Sequence, residues 1–207
     1  MKKILYTCIM FNQSFCAAGC GRPAFTGSAL CAVHSADPEA EARKLSEYIL
    51  RQKAIKDISV QGLHFEGVDF SHREFYGCNF SGATFSDCRF TGALMRIVFF
   101  DFAALSYCDF SNGDFQFLSM AGSTIRNCSF EGSELLNMNF GGTLISDSIF
   151  SKTDLCNSRF IYASITRSDF IDCNLKRTYF LKSNREGVSF KSSNTAEAFF
   201  DAEDNIP

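Results

Sequence analysis

The chain has 207 residues, 20 basic and 23 acidic side chains, a net charge of −3, 24 Phe, ten Cys and no Trp. That length suits one globular domain with an appendage. Beyond the first twenty or so residues no stretch approaches the length of a membrane span, and no Gly-rich phosphate loop sits between a strand and a helix.

Lys2 and Lys3 precede an uncharged run from Ile4 to Gly21 that ends Ala17-Ala18-Gly19-Cys20. A lipoprotein-type signal cleaved before Cys20 has this outline. Against it, Asn12-Gln13-Ser14 interrupts the run, and Ala17 stands where such signals usually carry Leu. The next residues also complete a different pattern: Cys16-x3-Cys20, ten residues, then Cys31-x2-His34. Two close pairs of thiolate and imidazole donors, bridged by a loop with Gly and Pro, suit tetrahedral zinc. Cys20-Gly21-Arg22-Pro23 and Cys31-Ala32-Val33-His34 resemble small zinc knuckles that carry a Gly-Cys-x-Arg-Pro step and end in Cys-x-x-His. The expectation is one structural zinc held by Cys16, Cys20, Cys31 and His34, with Cys8 the alternative to Cys16. So short a segment cannot build a core, so the metal would supply its folding energy. Four protein ligands leave no open position for catalysis. Only Lys2, Lys3 and Arg22 offer positive charge before Ala36, so direct nucleic-acid binding is not expected.

Residues 37–56 read as a helix. Asp37 suits the N-cap, Pro38 the first turn, and Glu39 and Glu41 the positive end. Leu45, Tyr48, Ile49, Gln52 and Ile55 mark one face, apolar apart from Gln52. Its expected role is a lid over the first coil of a repeat that begins near Val60.

From Val60 to Phe200 the chain counts in fives. Phe65, Phe70, Phe75, Phe80, Phe85 and Phe90 open the series, and large apolar residues hold the frame through Phe180. Two positions earlier sit small residues such as Ala83, Cys88, Cys108, Ser133 and Cys173. A period of five fits neither a helix nor a flat strand. It fits a chain that turns a corner every five residues, which makes this a repeat architecture. Ile125, Ile145 and Ile165 alternate with Leu135, Leu155 and Leu175. Each shape therefore recurs every twenty residues, as in a coil of four five-residue sides whose residue n stacks under n+20, ~4.8 Å away. Gly, Asn and Asp recur at the corners, where positive φ is needed.

Gly62-Leu63-His64-Phe65-Glu66-Gly67-Val68-Asp69-Phe70 and Cys78-Asn79-Phe80-Ser81-Gly82-Ala83-Thr84-Phe85 resemble the pentapeptide-repeat family. The resemblance implies a right-handed, four-sided β-helix, an all-β solenoid. The expected division is a zinc-knuckle-like segment over 1–36, a capping helix over 37–57, the repeat over 58–200 and a tail over 201–207. Arg185 and Thr195 stand where Ile and Leu are due, so the regular frame is expected to fail past 183, leaving about six coils. A short helix through Ala196–Phe200 would cap that end. In some family members such an end is a seam between two copies, which makes a homodimer a further expectation.

Cys88, Cys108 and Cys128 share one column. An oxidising compartment would cross-link such a ladder, so a reducing cytoplasm is expected. No enzyme is expected: His64 and His72 lie at outward positions without a Ser or Cys partner.

Two functions remain, and neither is membrane-bound. The first is a rigid interaction module for a protein partner. Its expected site is Ile97, Phe99, Phe102 and Phe117, apolar side chains at positions that elsewhere hold Gly, Asn, Ser or charge. The rival expectation is that the knuckle or the helix folds back over this patch. The second function, implied by the resemblance, is DNA mimicry that binds DNA gyrase. Residues 57–147 hold eleven acids against four bases, but residues 148–200 hold five against eight. The rod is polarised rather than uniformly acidic, which ranks mimicry second.

Overall fold

The structure, a computed structural model, describes residues 14–202. Its repeat region is a four-sided β-solenoid of about seven turns. Three-residue strands at Ala54–Lys56, Glu74–Tyr76, Leu94–Arg96, Asp114–Gln116 and Glu134–Leu136 form one parallel sheet. His64–Glu66, Thr84–Ser86, Ala104–Ser106, Thr124–Arg126, Leu144–Ser146, Ser164–Thr166 and Asn184–Glu186 form the sheet opposite. The other two walls are ladders of single parallel bridges, one through Asp69, Arg89 and Asp109, the other through Asn79, Phe99 and Ser119. Every paired register is n to n+20, as Ile125↔Ile145↔Ile165 shows.

The register explains the core. Phe130, Phe150 and Phe170 stack at 4.7 Å between neighbours, nearly parallel. Phe140 and Phe160 stack at 4.6 Å, and rings of adjacent columns meet edge to face, as Phe150 and Phe160 do at 83°. Each ring therefore has both favoured aromatic geometries at once. The small inward positions close the backbone account. Ser133 Oγ donates to the Phe110 carbonyl (2.7 Å) and accepts from the Gly113 amide (3.0 Å). The thiols of Cys88 and Cys108 donate to the carbonyls of Phe65 and Phe85. These cysteines pack as small hydrophobes with a weak donor.

Helix α1 (Pro38–Leu50) starts as its sequence dictates, with the Asp37 carboxylate accepting from the Ala40 amide at 2.8 Å. Its face of Ala42, Leu45 and Ile49 is buried and joins the core. It ends seven residues before the expected boundary. Ile55 belongs instead to the first strand, where it pairs with Phe75. Tyr48, placed on the buried face by the sequence pattern, is half-exposed.

The frame does not stop at 183. Arg185 takes the aliphatic slot beside Ile165, and its guanidinium lies over the rings of Phe180 and Phe200, 5.9 and 4.9 Å from their centroids. A long side chain with an apolar stem can fill a core slot where the solenoid ends. The expected terminal helix is a single 3-10 turn, Thr195–Glu197, and Phe200 stacks on Phe180 at 5.1 Å. Among the described residues no helix is long and apolar enough to cross a membrane.

Candidate functional site

The N-terminal segment builds its cluster from a short hairpin and one helical turn. Phe15 bridges Pro23 in antiparallel fashion, and the Cys16 amide donates to the Arg22 carbonyl at 2.8 Å. Gly19 and Gly21 both take positive φ, which lets the loop between Cys16 and Cys20 close tightly. The Cys31 carbonyl accepts from the amides of His34 and Ser35, and this turn puts Cys31 and His34 on one side.

Cys16, Cys20, Cys31 and His34 thereby bring their ligand atoms within 4.8 Å of one another. His34 Nδ1 is 3.5 Å from the sulfurs of both Cys16 and Cys31, and the sulfurs of Cys20 and Cys31 are 3.8 Å apart. A tetrahedron with metal–sulfur bonds of about 2.3 Å and a metal–nitrogen bond of about 2.0 Å has edges of roughly 3.5 to 3.8 Å. The donor set fits a metal ion in chemistry, and these three separations match such edges. Cys8 lies outside the described residues, as does most of the run read as an alternative signal.

The local electrostatics gather negative charge. Burial opposes ionisation of Cys31, but the His34 amide, the His34 ring and Cys16 outweigh it and bring its pKa down to about 6. Hydrogen bonding from the Cys31 backbone lowers Cys16. Cys31 and then Cys16 raise His34. For Cys20 the backbone at Arg22 favours the thiolate, but burial and the neighbouring thiols together raise its pKa. A cation bound here would replace a proton shared among these groups.

The cluster is tied to the solenoid. The Thr26 amide donates to the Ser59 carbonyl at 2.8 Å, and the Ser59 amide donates to Thr26 Oγ1 at 2.7 Å. Phe25 is fully buried in the common core. No periodicity marks Phe25 or Thr26, so neither stood out in the sequence. The segment thus extends the ladder of Ser59, Asn79 and Phe99 by one position and, with α1, closes the first turn.

Among the described residues, the segment and α1 sit at that end of the rod. Ile97, Phe102 and Phe117 remain exposed, at 43%, 75% and 59%. Phe99 is half-buried. The four do not share one corner. Ile97 and Phe117 lie on one corner, Phe102 on the next, and Phe99 on the wall between them. Ile97, Phe102 and Phe117 have φ of 55°, 57° and 57°, a left-handed conformation that is an outlier for β-branched and bulky residues. His64 and His72 lie on the outer surface, His64 4.0 Å from Glu66. In the outward column Asp114↔Glu134↔Asp154, the Asp114 carboxylate is held by Arg96 and Gln116.

The chain matches "Pentapeptide repeats (8 copies)" over residues 61–96 and "Pentapeptide repeat region" over residues 123–200. No curated protein matches the sequence. Solved structures similar to it include a trypsin-treated form of QnrB1, a plasmid-mediated fluoroquinolone resistance protein. It is 21% identical over 71% of this chain and 76% of that one, with a TM-score of 0.37. HetL, a pentapeptide repeat protein involved in heterocyst differentiation regulation in the cyanobacterium Nostoc sp. strain PCC 7120, is 10% identical. That match covers 76% of this chain and 95% of HetL, with a TM-score of 0.37. A pentapeptide repeat protein of the Arabidopsis thaliana thylakoid lumen is 25% identical over 48% of this chain and 63% of its own, with a TM-score of 0.34.

Proposed function

The chain belongs to the pentapeptide-repeat family, and from that premise we propose that it is a non-catalytic interaction module, a rigid rod that binds a protein partner. Its docking surface is the wall and corners that carry Ile97, Phe99, Phe102 and Phe117. The observation that carries this reading is the doubly unfavourable placement of Phe102, which is three-quarters exposed and left-handed. Backbone strain and exposed aromatic surface together are a cost that a partner would repay. Burial pushes the Cys78 thiol up to about 11, away from a nucleophile's range. The test is a pull-down from the native host with the wild type and Phe117→Glu. A partner retained by the first and lost by the second, with equal melting temperatures, supports the reading. A marked fall in melting temperature would assign the patch to internal packing.

The Cys3His cluster holds one structural zinc in this reading, because three sulfurs and one imidazole nitrogen gathered within 4.8 Å, three of their separations at tetrahedral edge lengths, suit that ion best. Elemental analysis of protein purified without chelator should find one zinc per chain. The stacked column of Cys88, Cys108 and Cys128 would be open to cross-linking under oxidation, so a reducing cytoplasm is the compartment in this reading. Gyrase binding by DNA mimicry stands second. Arg89 and Arg96 pair with Asp69 and Asp114 and interrupt the negative surface that mimicry needs. A supercoiling assay with no inhibition or protection at micromolar protein would remove it.

A further inference from the structure

The wall that carries Phe99 does not end at the apolar patch. Its outward column continues through Ser119, Asn139, Arg159 and Tyr179 to Phe199. The corner of Ile97 and Phe117 continues through Asn137 and Asn157 to Arg177. A shallow groove of about 530 Å³ joins the two halves, with Phe117 at one end, Asn137 and Asn139 in the middle, and Arg159 and Tyr179 at the other.

Charge on this wall is one-sided from residue 97 to residue 182. One coil further on, Glu197 lies beyond Arg177 and accepts from the Asn194 side chain, and Asp201 accepts from the Lys182 amide. Several cations elsewhere on the rod are paired: Arg89 with Asp69, Arg96 with Asp114, Lys152 with Glu131 and Arg167 with Asp147. Arg159 and Arg177 are exposed and make no ion pair among the described residues. Lys182, on the far corner, rests on Tyr162 with its ammonium 3.0 Å from the phenol oxygen. Between residues 97 and 182 the outward positions of this wall hold a single acid, Asp101, and the Ser119 hydroxyl and the Ala121 amide already occupy it.

We propose that this wall binds an extended acidic segment of another protein, its apolar side chains at Phe117 and its carboxylates at Arg159 and Arg177. The inference rests on the docking reading above and adds the chemistry of the partner. Guanidinium groups without partners recognise carboxylates in a bidentate fork. The side-chain amides of Asn137 and Asn157 offer donors and acceptors to a peptide backbone between the two ends. The geometry sets the spacing. Phe117 and Arg177 lie three coils apart, roughly 14 Å at ~4.8 Å per coil. An extended chain covers that in about four residues. The segment therefore carries an apolar anchor followed, about four residues on, by acids.

A random dodecapeptide display library panned against the full-length protein tests this. Enriched peptides should carry an apolar residue and, three to six residues away, at least two carboxylates. A labelled enriched peptide should bind at least tenfold more weakly to Arg159→Glu/Arg177→Glu, more weakly in 0.5 M salt, and undetectably to Phe117→Glu, all with unchanged melting temperatures. If Phe117→Glu fails to fold, Phe117→Ser replaces it. Neutral or basic enriched peptides, or affinity untouched by the arginine variant, overturn the acidic segment. Loss of such binding in Phe117→Glu would still leave the docking reading standing. No enrichment at all overturns both. Tighter binding of an oligothymidylate than of the peptide, or a dimer in sedimentation that Phe117→Glu dissolves, also overturns the inference by assigning the wall to nucleic acid or to a second copy.

Discussion

The ring of Phe115 occupies the space that a Cβ on Gly113 would need. Among the described residues, Phe115 and Phe75 are the rings in a column otherwise filled by Ile55, Met95, Leu135, Leu155 and Leu175. The small position two residues earlier holds Ala93, Ser133 and Thr153 in neighbouring coils, but beside the ring only Gly fits. Gly113→Ala should therefore lower stability by about 1–3 kcal/mol through overpacking. Adding Phe115→Leu should return most of that loss, because the smaller side chain vacates the space. Guanidinium midpoints of the wild type, both single variants and the double variant measure the coupling. Additive effects would show that the two side chains do not compete.

The Cys3His cluster should report on one end of the rod and not on the other. Solenoid coils contact only their neighbours, so a local loss stays local. Cys31→Ser should release the metal and free the hairpin that protects Ser59. Hydrogen exchange should then accelerate at the amides of Thr26 and Ser59, which bond each other's residues. The amide of Phe150, bonded to the Asp169 carbonyl far along the rod, should exchange as before. Chelation of the wild type should reproduce the pattern. Unchanged protection at Ser59 would mean that the segment folds without its ion.

Asp69 gives a pH dependence with a definite sign. The Ser71 hydroxyl and amide and the Arg89 guanidinium, 2.9 Å away, hold its pKa down at about 2. A depressed carboxylate stabilises the fold above its unfolded pKa of about 3.9, and that contribution is lost as pH falls through the folded value. The side chains of Asp69 and Arg89 are 48% and 60% exposed, so the effect stays below ~1 kcal/mol and weakens with salt. Asp69→Asn should be slightly less stable than wild type at neutral pH. The gap should narrow below about pH 4 and close below about pH 2. A gap constant with pH would place the effect in packing rather than charge.

How much of this was legible in the sequence depended on whether a residue obeyed the frame. Phe65 through Phe180 could be placed by counting, and the structure seats each of them inside. Counting back twenty from Phe75 also reaches Ile55, so the early end of α1 was readable in principle. There a helical face and a five-residue frame competed for the same residue, and strand pairing won. Arg185 looked like a break because a charge has no place in a core. It is tolerated because its guanidinium lies over the faces of the Phe180 and Phe200 rings. The four residues of the cluster could be read from spacing and chemistry. Phe25 and Thr26, which fasten the cluster to the rod, obey no period. The corner residues were seen as exceptions, but their distribution over a wall and two corners emerged only with the register in place.

Phe100 and Phe102 stand two residues apart and should respond in opposite ways to the same kind of change. Phe100 is fully buried and meets the rings of Phe80, Phe90 and Phe110. Phe100→Ala should cost about 3–5 kcal/mol. Phe102 is 75% exposed at φ 57°, and its ring lies over Gly122. Left-handed backbone costs a bulky residue about 1–2 kcal/mol, whereas Asn adopts it readily. The area that Phe102 buries contributes about 1 kcal/mol at most. Strain relief therefore matches or exceeds lost burial, and Phe102→Asn should melt at or up to about 4 °C above wild type. If Phe102 is kept for a partner, the same variant should bind that partner more weakly, a gain in stability at the expense of function. Calorimetry of the two variants beside the wild type checks both signs. A fall of more than about 1 kcal/mol for Phe102→Asn would mean that the side chain is packed against the protein itself, and the docking surface would have to be moved elsewhere.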